Sequence, residues 1–346
     1  MRKLIILILL LVSIPTTCCA MEFTAPQAPV EAEKYMPEDV SSFGEDLWFV
    51  IKSAIADLQP SIATAARTGL SLFATTLLIS MVQSVSGSPQ QIVRLIGALT
   101  IGVFLIQPSN AMVQLGITTI QQISEYGKLL LPVMSAALAA QGGVSASTAL
   151  YTATAFFNAI LTSAITKLIV PLLYIYIVLC IANNAIGNEI LKHFCNFVKQ
   201  LMSLLLKGAL YLFSGFLTIT GVVSGAADAS AIKATKLIIS GSVPVVGKIL
   251  SDASETILVS AGVMKSAAGV YGVVAIIAIF IGPFLQIGIQ YLFLKITASV
   301  CGIFGTKQSV SLIQDFSGMM GFLLAATGTI CLLLMISTVC FMKGVT

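Results

Sequence analysis

Residues 268–294 read "AGVYGVVAIIAIFIGPFLQIGIQYLFL", a run without a single charged side chain. A surface helix of a soluble protein needs a polar face, and this run has none. Crossing a hydrocarbon layer of about 30 Å takes roughly 20 apolar residues, and the run exceeds that. Further apolar runs lie at 68–86, 91–107, 129–141, 147–165, 168–186, 203–224 and 319–341. Charged residues make up 9% of the 346 and apolar residues 57%, too few charges to cover the surface of a soluble domain. No ten-residue alternation marks a barrel. The expected fold is all-α, a polytopic helical membrane protein of six to eight spans, with broken helices and amphipathic interfacial helices.

The runs at 91–107 and 129–141 are short for a span. The second reads as a re-entrant or tilted segment, or half of a broken helix. Pro132, Pro171 and Pro283 fall in or beside apolar runs, and Pro283 is expected to kink its helix.

The chain opens "MRKLIILILLLVSIPTTCCA", with Arg2 and Lys3 before a short apolar core and small residues. That is the layout of a secretory signal peptide cleaved after Ala20. A retained first span and a lipidated cysteine are the alternatives; the run is short for the one, and Thr17 before Cys18 is unsuited to the other. Residues 21–46 are acidic and proline-rich, an exposed and partly disordered linker on the outer side. The membrane domain is expected over 47–346. It starts with Leu47, Ile51, Ala54, Ile55 and Leu58 at helical spacing, an interfacial helix bearing Trp48, the only tryptophan.

Several function classes are excluded. The net charge of +4 is scattered, so nucleic acid is not an expected partner. Seven cysteines form no CxxC pair and there is one histidine, His193, so no metal or cofactor is expected. His193 reads as a solvated interfacial residue. No nucleophile–base constellation appears, and catalytic residues are expected to be absent.

Two segments are amphipathic. In "NEILKHFCNFVKQLMSLLLKG", 188–208, Glu189, Lys192, Asn196, Lys199, Gln200, Ser203 and Lys207 recur every three or four positions. This reads as a helix on the cytoplasmic membrane surface. In "ISGSVPVVGKILSDASETIL", 239–258, Gly241, Ser242 and Pro244 break the chain, and a helix with Lys248, Asp252 and Glu255 on one face follows. The text around Gly247 and Lys248 is not a phosphate loop: five residues separate Gly241 from Gly247, and Ile249 follows the lysine. These six residues, Gly241, Pro244, Gly247, Lys248, Asp252 and Glu255, are the candidate partner-contact or gating set. Gln286 and Gln290, at i,i+4 in the 268–294 run, are a candidate polar lining, with helix–helix hydrogen bonding as the plainer reading.

With the signal removed, the mature N-terminus lies outside. The lysines at 187–203 and 295–318 then fall inside and 225–267 falls outside, the last against the positive-inside rule.

The runs "PVMSAALAAQGG", "ISGSVPVVGKILSDASETI", "GPFLQIGIQYLFLKITA" and "IQDFSGMMGFLLA" occur in an order that resembles the stage III sporulation protein AE family of endospore-forming bacteria. The resemblance covers roughly 110 to the C-terminus, and its matching motif takes in Gly241, Pro244, Gly247, Asp252 and Glu255. It implies a structural, permease-like component of a channel complex between mother cell and engulfed forespore, needed for late forespore gene expression. It also implies a place in the mother-cell membrane around the forespore, with the other stage III sporulation A operon proteins and a forespore-side channel protein as partners. The alternative is an independent secondary transporter of a small molecule, for which matching breaks in two halves would speak.

Overall fold

The computed structural model describes residues 25–37, 43–85, 90–140, 144–219 and 267–343. Nine α-helices occur among them: α1 (Val30–Glu33), α2 (Phe43–Ala56), α3 (Gln59–Val85), α4 (Gln90–Ala140), α5 (Val144–Ala164), α6 (Val170–Ile186), α7 (Glu189–Ile219), α8 (Ala267–Phe304) and α9 (Lys307–Lys343). Six helical stretches are long and apolar enough to cross a membrane, α5 and α6 together forming one of them. There is no strand among the described residues.

The centre is the α8–α9 hairpin. Their most apolar windows are 72% and 78% buried, against 17% for α3, so these two helices are the core and α3 is a peripheral span. Around α9 stand α8, α4, α6 and α7, with α5 against its C-terminal half; α8 is lined in addition by α1, α2 and α3.

The two short runs at 91–107 and 129–141 are not separate spans. α4 is continuous for 51 residues through Pro108 and Pro132, about 76 Å at 1.5 Å per residue. Each proline costs a backbone hydrogen bond. What keeps the middle helical is a buried seam of Ser109, Val113, Gly116, Ile120, Ile123, Gly127, Leu130 and Met134. Its spacing alternates four and three residues, the seam of a helix packed along its length against others. The outward face changes character along the helix. Ile92, Leu99, Val103 and Ile106 are exposed on the first part, and Gln107, Asn110, Gln114, Gln121, Glu125 and Lys128 on the next. Only the first of these faces suits lipid.

The runs at 147–165 and 168–186 are likewise joined. A single π-turn, Ile165–Ile169, links α5 to α6, with the Val170 N–H reaching back five residues to Ile165. Pro171 explains the widening, because its ring would clash with the carbonyl four residues earlier in a regular α-helix. α6 ends at Gly187, whose φ of 73° lies in the left-handed region open to glycine, and whose N–H bonds Asn183 O at 2.7 Å. That turn sends α7 back along α6, so Cys195 Sγ lies 3.9 Å from Cys180 Sγ. The 188–208 segment therefore stands upright in the bundle instead of lying on the membrane surface. Its packed residues, Cys195, Val198, Met202 and Leu206, face inward at helical spacing, and their burial fixes the helix there.

Within 21–46, expected as an exposed linker, the described residues 25–37 make contacts with the bundle. Tyr35 is 5% exposed and sits over Gly282 of α8, where an added Cβ would stand 2.9 Å from its ring. The Tyr126 hydroxyl donates to Pro26 O at 3.3 Å, and the Ala28 N–H donates to Tyr271 Oη at 3.4 Å. Lys34 pairs with Asp57, whose Oδ2 also accepts from the Tyr35 hydroxyl at 2.8 Å. α2 follows with Phe43, Asp46, Val50 and Ala54 turned inward and Trp48 66% exposed. The face is rotated from the expected one: Ile55 is outward and Val50 inward.

The Lys34 and Tyr35 hydrogen bonds hold Asp57 below its ordinary carboxylate value, and the Asp57 bond holds Lys34 above its own. Asp57 therefore contributes above about pH 4 and its contribution fades as acid protonates it; Lys34 contributes until alkali removes its proton. Protection of the 28–37 amides against hydrogen exchange, corrected for intrinsic rates, should be flat between about pH 5 and 9 and fall in acid. Asp57→Asn should lower it several-fold throughout. A wild-type profile that changes between pH 5 and 9 would show that other groups hold this segment.

Candidate functional site

Three faces meet beside α9. Tyr176, Cys180 and Asn184 stand at i, i+4 and i+8 on α6, one stripe of that helix. Their target is Asp315, in the third turn of α9. The Tyr176 hydroxyl donates to Oδ1 at 3.3 Å, and Asn184 Nδ2 donates to Oδ2 at 3.3 Å and to Cys180 O at 2.8 Å. α7 closes over the same spot through Cys195. One turn beyond it on α7 stands Lys199, exposed. Asp315 is the sole acid of α9, and a carboxylate in a membrane-spanning helix is costly unless donors or water receive it.

Among the described residues α9 is walled by α8, α4, α6 and α7. Near the cluster α9 leaves Lys307 and Gln314 exposed and Asp315 and Gly318 half-exposed. The site can hold and orient a polar group at one carboxylate with two fixed donors. Among the described residues, no three His, Cys, Asp or Glu side chains converge as a metal-binding group would require.

Gly241, Pro244, Gly247, Lys248, Asp252 and Glu255 lie outside the described residues. Gln286 is half-buried, and Gln290 is 5% exposed with no hydrogen-bond partner for its amide nitrogen. Thr297, seven residues beyond Gln290 and so on the same face, meets Gly69 of α3. Gln290 therefore lies on the face of α8 turned toward α3. Asn158 makes a helix-to-helix bond, donating to Ser124 O and Oγ at 3.3 Å. Asp315 is absent from the sequence-based candidates, although a lone acid in a run such as "IQDFSGMMGFLLA" is a detectable signal.

The model of the family described as Stage III sporulation protein AE matches residues 46–344. The chain is 21% identical over 218 residues to the protein of Bacillus subtilis (strain 168) named "Stage III sporulation protein AE". That alignment covers 63% of this chain and 55% of the relative, so the chain spans about half the relative's length. No solved structure matches. The family match extends from α2 to the end of α9, through both walls and the floor of the Asp315 cluster, and the chain belongs to the Stage III sporulation protein AE family.

Proposed function

We propose that this chain is a structural, permease-like membrane component of the channel complex that joins the mother cell to the engulfed forespore and supports late forespore gene expression. The family match over 46–344 carries the reading. The six membrane-capable helical stretches agree with it. Its partners are the other stage III sporulation A operon proteins, with a forespore-side channel protein across the gap, and its role is not enzymatic.

The mature N-terminus, freed by cleavage after Ala20, faces outward from the mother-cell membrane. Contacts of Pro26 and Ala28 with Tyr126 and Tyr271 place that segment at one end of the bundle, while Arg94, Lys192 and Lys307 mark the other. The positive-inside rule assigns the second end to the mother-cell cytoplasm. This orientation puts 220–266 on the outer side, where Gly241, Pro244 and Gly247 position a face of Lys248, Asp252 and Glu255 for a partner.

Charge reversal of Asp252 and Glu255 together should leave protein levels normal while abolishing co-purification with the operon proteins and sporulation. Normal sporulation with stable protein would remove the contact role. The alternative, an independent secondary transporter, draws on Asp315 within a span. Transport by the isolated protein in liposomes, without its partners, would favour it.

A further inference from the structure

α4, α8 and α9 run for 51, 38 and 37 residues, about 76, 57 and 55 Å against a hydrocarbon layer of about 30 Å. Part of the bundle therefore stands clear of lipid, and the outward side chains identify that part. On four helices the exposed large apolar residues concentrate in one band, over 70–85 on α3, 92–106 on α4, 175–186 on α6 and 292–304 on α8. The stretches share one height: Gly97 of α4 faces Ile79 of α3, Gly102 faces Ile181 of α6, and Ser80 Oγ donates to Phe304 O at 2.7 Å. Arg67 and Lys295, both exposed, close one rim of the band, each two residues from the place where Gly69 meets Thr297. Lys295 Nζ reaches away from the band, back along α8, and donates to Tyr291 Oη at 2.9 Å. A lysine at the edge of a hydrocarbon layer directs its ammonium in this way.

Beyond that rim the surface changes. α4 turns Gln107, Asn110, Gln114, Gln121, Glu125 and Lys128 outward, and Lys128 stands about 33 Å past Ile106. Tyr35 meets Gly282, thirteen residues before Lys295 on α8 and so about 20 Å from the rim. Beside Tyr35, Lys34 and Asp57 form an ion pair whose side chains are 55% and 48% exposed. The α5 and α7 side is mixed, with Phe156, Ile160 and Leu212 standing among Thr152, Lys167 and Lys207. Half-exposed ionised groups at this height fit water and not hydrocarbon. The apolar run of α8 is consistent with that. Residues 273–278 are each 4% exposed or less, so protein surrounds the helix there and the run is interior, not lipid-facing.

We propose that the end of the bundle bearing α1 is an extramembrane head. α4 beyond Asn110, α5, the first half of α8, the second half of α9 and the docked residues 25–37 stand in water on helices that continue through the bilayer. From Asn110 to Ala140, the end of α4, the head rises about 45 Å. Its side rests on the orientation and channel-complex role proposed above, which put the head in the space between the two membranes, where soluble parts of partner proteins can reach it.

The test uses the full chain in proteoliposomes of phosphatidylethanolamine and phosphatidylglycerol, with nitroxide labels on single-cysteine variants. Collisions with a water-soluble nickel chelate are compared with collisions with oxygen, which concentrates in lipid. The nickel-to-oxygen ratio at Glu31→Cys, Gln121→Cys and Glu125→Cys should be at least tenfold higher than at Leu99→Cys and Ile303→Cys. Ratios at the three head positions equal to those at Leu99→Cys and Ile303→Cys would overturn the head. In intact protoplasts expressing the chain, a membrane-impermeant maleimide should label Glu125→Cys, and should label Lys307→Cys after lysis only. The reverse pattern would overturn the outer side. Neither readout needs a partner, so a chain that fails to co-purify with the operon proteins loses the channel-complex role while the collision ratios still decide the head.

Discussion

Gly116→Ala is expected to lower the thermal midpoint of the detergent-solubilised protein by several degrees, and Gly116→Val to prevent recovery of a monodisperse protein. Gly116 lies at the seam where α4 crosses α9. A Cβ placed on it would stand 2.5 Å from Leu323 Cδ1 and 2.9 Å from its Cγ. Leu323 is fully buried, so it has no free space into which to swing. Overfilling a packed interior costs about 1–3 kcal/mol, and more for a branched side chain. In a membrane the close approach matters further, because helix association there depends on packing and hydrogen bonding, with no gain from leaving water. Leu323→Ala alone should cost about 2–5 kcal/mol through its cavity. The pair Gly116→Ala with Leu323→Ala should lose less than the sum, since the new methyl enters the space the leucine vacates. Strict additivity, read as midpoints by fluorescence-detected size exclusion, would show that the two residues do not touch.

The helical membrane class was legible in the apolar runs, because hydrocarbon imposes a length and a composition that no other environment does. The six membrane-capable stretches fall within the expected six to eight; where they begin and end was not legible, and α4 shows why. Hydropathy averages over every face, so the polar outward residues Gln107, Asn110, Gln114 and Gln121 made 108–128 read as a connection. The inward residues Val113, Gly116, Ile120 and Ile123 of the same stretch form an unbroken seam. A pattern of alternating fours and threes was present there, and only the helical period separates it from its polar neighbours. α7 gave the converse result. Its polar stripe was readable, but the same stripe serves a helix lying on a membrane and one standing upright in a bundle. Burial of Val198 and Met202 against its neighbours decides between them.

The site was legible in parts that composition could not assemble. Lys199 and Asn184 were visible as polar residues near spans, and Asp315 as an acid in an apolar run, yet they stand 116 and 131 residues before it in sequence. Nothing local brings them together. The π-turn before Pro171 matters here, since it resets the rotation of α6 relative to α5 and so directs Tyr176, Cys180 and Asn184 at α9. The docking of Tyr35 was not legible for a related reason: an acidic, proline-rich composition argues against a core of its own, but one aromatic ring against one glycine needs no core.

Asp315 separates the structural from the functional meaning of this cluster. Asp315→Leu leaves the Tyr176 hydroxyl without its acceptor and removes one of the two acceptors of Asn184 Nδ2, the Cys180 carbonyl remaining. A buried donor stranded in this way costs about 1–3 kcal/mol. The variant should therefore lose several degrees of thermal midpoint and much of its abundance in membranes. Asp315→Asn behaves differently. Its carbonyl can still accept from Asn184, and its amide can donate to the Tyr176 oxygen, because a hydroxyl both donates and accepts. Size and both contacts are kept while the charge goes, so midpoint and abundance should stay near those of the unmodified chain. If the carboxylate also balances Lys199 on the polar face of α7, the stable Asn variant should nonetheless sporulate poorly, and Asp315→Glu should restore part of the loss. Normal sporulation by Asp315→Asn, with Asp315→Leu failing through low abundance, would instead make Asp315 a fastener between α6 and α9 that does nothing more.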